Sequence, residues 1–237
     1  MILYVNGDSH AAGAEAVNTY AFADDDIKYV ALGKRPHPDN LNVSWGMRLS
    51  KILNLGLNCD AESGSSNDRI IRTTNEFIDR RGDLGYPYTV VVIGWSTWER
   101  EEWYDEEENQ WCQVNASGYV DLPKKWHLRY KQYVNGLDYR QKETEAHEKI
   151  YELHQKLRMH RIPHLFFNSN WHFSPHQKTD TNWHGCYLEP YNADYAYIEW
   201  ATQQGFSKTK WNHFGPEVHR KWADLLSSRL TPLLEAV

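Results

Sequence analysis

The stretch from Tyr88 to Ile93 constrains the fold more than any other part of this chain. It reads Tyr-Thr-Val-Val-Val-Ile, so it is apolar and β-branched almost throughout. Branching at Cβ favours a strand, and a strand that is apolar on both sides has to be covered on both faces. Such a strand lies in the centre of a parallel sheet. The sequence therefore predicts one sheet with helices on both sides.

Other apolar segments alternate in the order expected for this architecture. Short apolar runs predict strands, whereas apolar residues repeating every three or four positions predict amphipathic helices. A strand, helix, strand order implies right-handed crossovers and a mostly parallel sheet. We therefore predict a three-layer α/β/α fold with a flavodoxin-like sheet. The further predicted strands are 2–5, 57–61 and 162–168, and the predicted helices lie around 45–53, 70–78, 144–160 and 218–230.

The chain is expected to form a single domain over residues 1–237. Its hydrophobic fraction of 41% suffices for one sizeable core with insertions. Two segments exceed the minimal pattern, an acidic one rich in Trp and Tyr at about 95–140, and one rich in His, Asn and aromatic residues at about 169–212. Both follow the carboxyl ends of predicted strands, where sites form in open α/β sheets. We expect the two insertions to flank such a site.

Charge and composition exclude several classes of partner. A formal net charge of −6 and a pI near 6.0 provide no basic field for nucleic acid or an anionic membrane surface. The three cysteines have no close spacing, which predicts free thiols in a reducing compartment rather than disulfides or a thiolate metal site. The chain carries no signal peptide or apolar run of membrane-spanning length, so we expect a cytoplasmic protein without cofactor. A homo-oligomer or a larger assembly, including a virus particle, stays open.

Residues 6–10 read Asn-Gly-Asp-Ser-His and follow the first predicted strand. A hydroxyl at Ser9 would stand at the edge of the sheet, where an imidazole could deprotonate it and its own N–H could bind an oxyanion. Asp8 and His10 flank it and are expected near the substrate. The alternative is that Asp8 and Ser9 only cap a helix.

Three separated segments resemble the SGNH (or GDSL) hydrolase family. Gly7-Asp8-Ser9 is similar to its first block, Gly64 in Glu-Ser-Gly-Ser-Ser-Asn to its second, and His213 in Asn-His-Phe-Gly-Pro to its final block. The resemblance implies that Ser9 is the nucleophile and His213 the base. It also implies an oxyanion hole built from the N–H groups of Ser9 and Gly64 together with an asparagine amide.

Two positions depart from the family pattern. Residues 94–97 read Gly-Trp-Ser-Thr, so Ser96 stands where the family has its asparagine. One such donor contributes about 3 to 4 kcal/mol, and the Ser96 hydroxyl or the Asn67 amide could replace it. Lys210 and Trp211 occupy the places of the family's acid before the histidine. The sequence therefore predicts a Ser-His dyad whose imidazole has an uncharged orienting partner, such as a backbone carbonyl.

The other histidines and the tryptophans have less specific patterns. His219 lies inside the last predicted helix, where a histidine is typically structural. His172, His176 and His184 have no carboxylate or thiolate in register, so we expect loop histidines and no metal site. Tryptophans alternate with carboxylates over residues 95–111, which suits either a sugar-binding surface or, slightly favoured, a satellite core or interface.

Two functional hypotheses follow. The first is a serine esterase or deacylase that removes an acyl group from a glycan or another small ester. The second is a binding or structural protein that keeps the scaffold without catalysis, for example within a larger assembly. The departures at residues 94–97 and 210–211 favour the second hypothesis, whereas Ser9, Gly64 and His213 favour the first.

Overall fold

The computed structural model describes residues 1–23, 32–83, 88–116, 122–178 and 181–235. Parts of both predicted insertions, residues 117–121 and 179–180, therefore lie outside the described residues. None of the described helices has the length and apolar character that crossing a bilayer requires.

The central sheet is parallel and has the strand order β2-β1-β3-β6. The strand predicted at 88–93 is β3, and it pairs with β1 on one side and β6 on the other. A two-stranded antiparallel hairpin, β4-β5, follows β3. The strands are β1 (Ile2–Gly7), β2 (Gly56–Cys59), β3 (Thr89–Trp95), β4 (Glu101–Asp105), β5 (Gln110–Val114) and β6 (His164–Asn168).

Eight α-helices accompany these strands within the described residues, and the longer ones cover both faces of the sheet. Apart from α1, α2, α5 and α7, they correspond to the amphipathic segments predicted from the sequence. The helices are α1 (Ser9–Ala12), α2 (Pro38–Val43), α3 (Trp45–Ile52), α4 (Asn67–Arg80), α5 (His127–Asn135), α6 (Tyr139–Met159), α7 (Tyr197–Gln203) and α8 (Pro216–Glu235).

Alternate side chains of the strands build two cores. Leu3, Val5 and Phe167 pack with α3, α7 and α8 on one face of the sheet. Tyr4 and Phe166 pack with α4 and α6 on the other face. This alternation follows from the two-residue period of a strand, and it confirms the predicted three-layer α/β/α fold.

Helix α6 begins five residues before the predicted start. The Asp138 carboxylate caps it by accepting hydrogen bonds from the N–H groups of Arg140 and Gln141, at 2.9 and 3.1 Å. The apolar periodicity begins only at Ala146, because most of the first turns are exposed or half-buried. The cap therefore adds helix that a hydrophobic pattern alone does not indicate.

Candidate active site

Ser9 lies immediately after β1, at the carboxyl edge of the sheet. Gly7 ends the strand with φ +151°, and a Cβ there would stand 2.6 Å from Ala11 Cβ and 2.7 Å from the Gly94 carbonyl oxygen. Only glycine therefore fits where β1 passes β3 and turns into α1. Asp8 caps α1 through a hydrogen bond from the His10 N–H to Oδ1, at 3.0 Å. Asp8 therefore caps α1 while Ser9 lines a cavity at the edge of the sheet, so a capping role and a nucleophilic Ser9 do not exclude each other.

The Asp8 carboxylate is fully buried and binds side chains from both insertions. Its Oδ2 accepts hydrogen bonds from Asn170 Nδ2 at 3.0 Å and from Arg100 Nη1 at 3.4 Å. Burial raises the pKa of Asp8, and the Arg100 guanidinium opposes that rise. Asp8 does not line the cavity that contains Ser9. Its hydrogen bonds connect the end of β1 to the two insertions. The carboxylate is therefore not placed to contact a substrate in that cavity.

His213 has an acidic partner that the spacing around it does not indicate. Its Nδ1 lies 2.9 Å from Glu15 Oε2, in a hydrogen bond that is largely shielded from solvent. Thr209 Oγ1 donates a hydrogen bond to the same carboxylate oxygen at 2.6 Å and accepts one from the His213 N–H at 3.1 Å. The expectation of an uncharged orienting partner is therefore corrected, because the carboxylate comes from the segment after α1 instead of residues 210–211.

Left-handed backbone accompanies this hydrogen bond. Glu15 has φ +58°, and Asn212, directly before His213, has φ +67°. Glu15 is the strained residue, at a cost of about 1 kcal/mol or more, because asparagine adopts this conformation more readily. Strained non-glycine residues of this kind concentrate at functional sites, where the surrounding structure holds a side chain in a required position.

Ser9 and His213 line the same cavity, which has a volume of about 740 Å³. Glu15 and Gly64 line it too, together with residues from both insertions. Within the described residues, the Ser9 hydroxyl makes no hydrogen bond, including none to His213. The insertion residues that line the cavity are Arg100, Gln113 and Asn115 from the first, and Asn170, Ile198, Trp211 and Asn212 from the second.

The backbone conformation of Gly64 and the nearby Gln113 disfavour any residue with a Cβ at this position. Its φ is +87°, and a Cβ would stand 1.5 Å from Gln113 Oε1. Among the described residues, neither the Ser9 N–H nor the Gly64 N–H has a hydrogen-bond acceptor. Two N–H groups without a protein acceptor on one cavity are the chemical requirement for binding a developing oxyanion.

Ser96 and Asn67 bind each other and do not line the Ser9 cavity. Asn67 Oδ1 accepts a hydrogen bond from the Ser96 N–H at 2.9 Å, and Asn67 Nδ2 donates to the Ser96 carbonyl at 3.2 Å. The Ser96 hydroxyl accepts a hydrogen bond from Arg100 Nη1 at 2.8 Å. The expectation that either residue replaces the family's asparagine finds no support in this geometry. Arg100 and Asn170, the two side chains that bind Asp8, are among the nitrogen donors that line the cavity.

His10 and His219 occupy different surroundings. The His10 ring lines the cavity with its centroid 5.1 Å from that of His213. Burial and the nearby His213 and Arg100 lower its pKa, so His10 is neutral near pH 7. His219 lies deeper, accepts the Trp45 N–H at Nδ1 (3.3 Å), and has a pKa lowered by burial to about 3. His219 is a core residue, in line with its position inside α8.

Sequence reasoning missed Glu15, Arg100 and Asn170. Glu15 lies in Gly-Ala-Glu-Ala, a segment without a pattern of its own. Arg100 and Asn170 stand just after β3 and β6, and their distance from the strand ends is the only signal that could have identified them.

The chain is similar in structure to several proteins of known structure. An acetyl xylan esterase (Est2A) from the rumen bacterium Butyrivibrio proteoclasticus has 13% identity and a TM-score of 0.50, over 98% of this chain and 64% of the esterase. TesA has 14% identity and a TM-score of 0.48, over 98% of this chain and 99% of TesA. A putative lipolytic protein of the G-D-S-L family from Desulfitobacterium hafniense DCB-2 has 12% identity and a TM-score of 0.43, over 97% and 100% of the two chains.

At 13% identity, the structural similarity to the acetyl xylan esterase indicates the fold and not the function. The chain spans about two thirds, 64%, of the length of the acetyl xylan esterase. It is an α/β protein whose parallel sheet and flanking helices have the fold of that esterase. Residues 35–179 match the profile of a family of unknown function (DUF6071), and the chain therefore belongs to that family. No curated protein matches the chain.

Proposed function

We propose that this protein is a serine hydrolase of carboxylic esters, with Ser9 as nucleophile, His213 as base and Glu15 as the acid that orients the base. The observation that carries the proposal is the 2.9 Å contact between His213 Nδ1 and Glu15 Oε2 on the cavity that also contains Ser9. A proton fixed on Nδ1 leaves Nε2 with its lone pair. That nitrogen is then available to take the proton of a serine hydroxyl.

The proposed reaction has two stages. Ser9 Oγ attacks the ester carbonyl while His213 Nε2 takes the hydroxyl proton, and Glu15 stabilises the imidazolium that forms. The oxyanion of the tetrahedral intermediate accepts hydrogen bonds from the N–H groups of Ser9 and Gly64. His213 then protonates the leaving alcohol, and water hydrolyses the acyl enzyme by the same steps in reverse.

Asn170 supports the proposal as a third oxyanion donor. Its Nδ2 donates to Asp8 Oδ2, which fixes the amide beside the serine, and the residue lines the cavity. An amide carries two N–H bonds, so one remains for the substrate after the bond to Asp8. This arrangement would supply the donor that the sequence at residues 94–97 lacks.

A second cavity suggests that the substrate is a glycan ester. It has a volume of about 920 Å³, and Trp98, Tyr139 and Trp171 line it together with the carboxylates of Asp194 and Glu199. Asn170 lines both this cavity and the one at Ser9. Aromatic rings beside carboxylates suit the apolar faces and hydroxyl groups of sugar rings. A sugar in the second cavity would therefore extend towards an ester at Ser9.

The tryptophans do not all support this reading. Trp103 and Trp126 pack edge to face in a small core under the β4-β5 hairpin, with ring centroids 5.7 Å apart. They correspond to the satellite core that the sequence slightly favoured. Of the two tryptophans that line the second cavity, Trp98 is buried and stacks on Phe173 with ring centroids 4.5 Å apart, so Trp171 is the candidate for stacking on a sugar.

A non-catalytic binding protein is the competing candidate. It is favoured by the mutual hydrogen bonds of Ser96 and Asn67, which take the expected amide away from the oxyanion position. Such a protein would still bind a ligand in the two cavities. Its place in an oligomer or larger assembly, like the single domain over residues 1–237, stays a prediction.

Hydrolysis of p-nitrophenyl acetate separates the two candidates. Its leaving group needs little help from an acid, so an imperfect oxyanion hole still permits a measurable rate. Ser9→Ala and His213→Ala should each abolish turnover, because residues of one catalytic unit are strongly non-additive. Ser63→Ala is the matched control, since Ser63 is a serine on the same cavity without a partner histidine. Wild-type protein no faster than Ser9→Ala would support the binding protein.

Trp171→Ala tests the glycan part separately. With an acetylated oligosaccharide, we expect the KM to rise at least several-fold while the rate on p-nitrophenyl acetate stays unchanged. A KM that stays the same for the oligosaccharide would remove the glycan from the proposal and leave the esterase in place.

A further inference from the structure

Three potential metal ligands meet at the edge of the sheet opposite Ser9. His154 comes from α6, His164 is the first residue of β6, and Cys186 lies on the segment beside β6. The ligand atoms of these three buried residues all lie within 4.8 Å of one another. Because β6 begins at His164, the cluster is separated from the candidate active site by the length of the parallel strands.

The hydrogen bonds of the two imidazoles define their protonation. His164 Nδ1 lies 2.8 Å from the Ile162 carbonyl, which can only accept, so Nδ1 carries the proton and Nε2 has a lone pair. His154 Nδ1 lies 2.8 Å from that lone pair and donates to it. His154 Nε2 therefore also has a lone pair. This buried atom has no hydrogen bond of normal geometry among the described residues, although the backbone of Asn182 lies close to the ring.

The hydrogen bond of His164 is typical of histidines that bind a metal ion. A histidine ligand usually donates its second N–H to a backbone carbonyl, as His164 does to Ile162. A buried nitrogen without a hydrogen-bond partner needs an explanation, of which a bound ion is one.

Binding would be coupled to loss of a proton from Cys186. A metal would release the thiol proton on binding, because the thiolate is the ligand.

We propose that His154, His164 and Cys186 bind a divalent zinc-type metal ion that ties α6, β6 and the adjoining segment together. Two nitrogens and one sulfur suit zinc in tetrahedral geometry, with the fourth position left to water. A cavity of about 470 Å³, lined by His164, His184 and Cys186, gives that position access to solvent.

The fit requires the three ligand atoms, which lie within 4.8 Å of one another, to rearrange around the ion. Metal to nitrogen distances of about 2.0 to 2.1 Å at a tetrahedral angle separate two nitrogens by about 3.3 Å. His154 would bind through Nδ1, with the proton of that nitrogen moved to Nε2. His154 Nδ1 and His164 Nε2 are 2.8 Å apart, so the rings would separate by about half an ångström. Arg158 and Arg161 line the same cavity and oppose a cation there, which the charge of the thiolate partly offsets.

Zinc and cobalt binding test the proposal on the full chain. Chelator-treated protein is titrated with Zn²⁺ against a chromophoric chelator, and with Co²⁺ as a spectroscopic probe. We expect one equivalent of zinc, a higher thermal midpoint, and a cobalt spectrum with a thiolate charge-transfer band and intense tetrahedral bands. Cys186→Ser should remove the charge-transfer band, and His154→Gln should weaken zinc binding at least about tenfold, the effect seen even for lost supporting contacts.

Matched variants locate the metal. Cys59→Ser removes another free thiol, and His213→Gln removes the imidazole of the candidate active site. Both should bind zinc as the wild type does. Absence of zinc binding by the wild-type chain would overturn the proposal, whether or not the variants fold. Zinc binding lost in His213→Gln but retained in Cys186→Ser would also overturn it, since the ion would then bind beside Ser9.

Discussion

Glu15→Gln isolates the electrostatic part of the proposed triad. The amide keeps the size of the side chain and can still accept a hydrogen bond from His213 Nδ1, so the geometry is retained while the charge is lost. The carboxylate lies 2.9 Å from Nδ1, and the side chains of Glu15 and His213 are only 10% and 15% exposed. The imidazolium formed during the reaction would therefore lose a largely shielded opposite charge.

The magnitude follows from Coulomb's law. Charges centred about 4 Å apart interact by about 4 kcal/mol at an effective dielectric constant of about 20. Since about 1.4 kcal/mol corresponds to a factor of ten in rate, kcat should fall about a hundredfold to a thousandfold. The assay is hydrolysis of p-nitrophenyl acetate, with urea unfolding measured in parallel to confirm that the variant is folded.

Glu217→Gln is the control, because Glu217 lies four residues after His213 and its carboxylate is exposed. It should leave kcat unchanged. A Glu15→Gln enzyme that keeps its rate within about twofold, while the wild type depends on Ser9 and His213, would refute the reasoning that this carboxylate stabilises the imidazolium.

Two further predictions concern Gly64 and His219. Gly64→Ala places a Cβ against Gln113 at φ +87°, so we expect a loss of about 1 to 2 kcal/mol in the free energy of unfolding and a lower kcat; Gly82→Ala, with open space around its Cβ, is the control, and equal effects in both would contradict the close packing. His219 has a pKa of about 3 in the folded chain and about 6.5 when unfolded. Its contribution to stability is therefore complete above about pH 6.5 and is lost as the pH falls towards 3, with a slope of about 1.4 kcal/mol per pH unit. His219→Gln should lose this slope in urea unfolding at several pH values, whereas His176→Gln, an exposed control, should keep it.

The layers of the fold could be predicted because they follow from local periodicity. The β-branched run at 88–93 became the central strand β3, and the apolar repeats became α3, α4, α6 and α8. The hairpin β4-β5 and helix α5 could not be predicted in this way. They pack a small core of their own around Trp103, and α5 has no fully buried residue to produce a periodic pattern.

The site was predictable only in the parts that carry short motifs. Ser9, Gly64 and His213 stand in segments that resemble the family blocks, and the three residues line one cavity. Glu15 is 198 positions from His213, so no spacing rule connects the two residues. Its backbone at φ +58° and the hydrogen bond from Thr209 determine where its carboxylate lies, and both depend on the folded structure.

Covalent labelling of Ser9 tests the central claim most directly. A fluorophosphonate reacts with a serine only when the hydroxyl is activated by a base, so labelling does not depend on knowing the natural substrate. We expect an adduct on the peptide that contains Ser9, found by mass spectrometry of the digested protein. We also expect the adduct to be absent in Ser9→Ala and much slower to form in His213→Ala, while Ser63→Ala labels as the wild type does. A wild-type chain that remains unlabelled at Ser9, although folded, would contradict the assignment of Ser9 as a nucleophile.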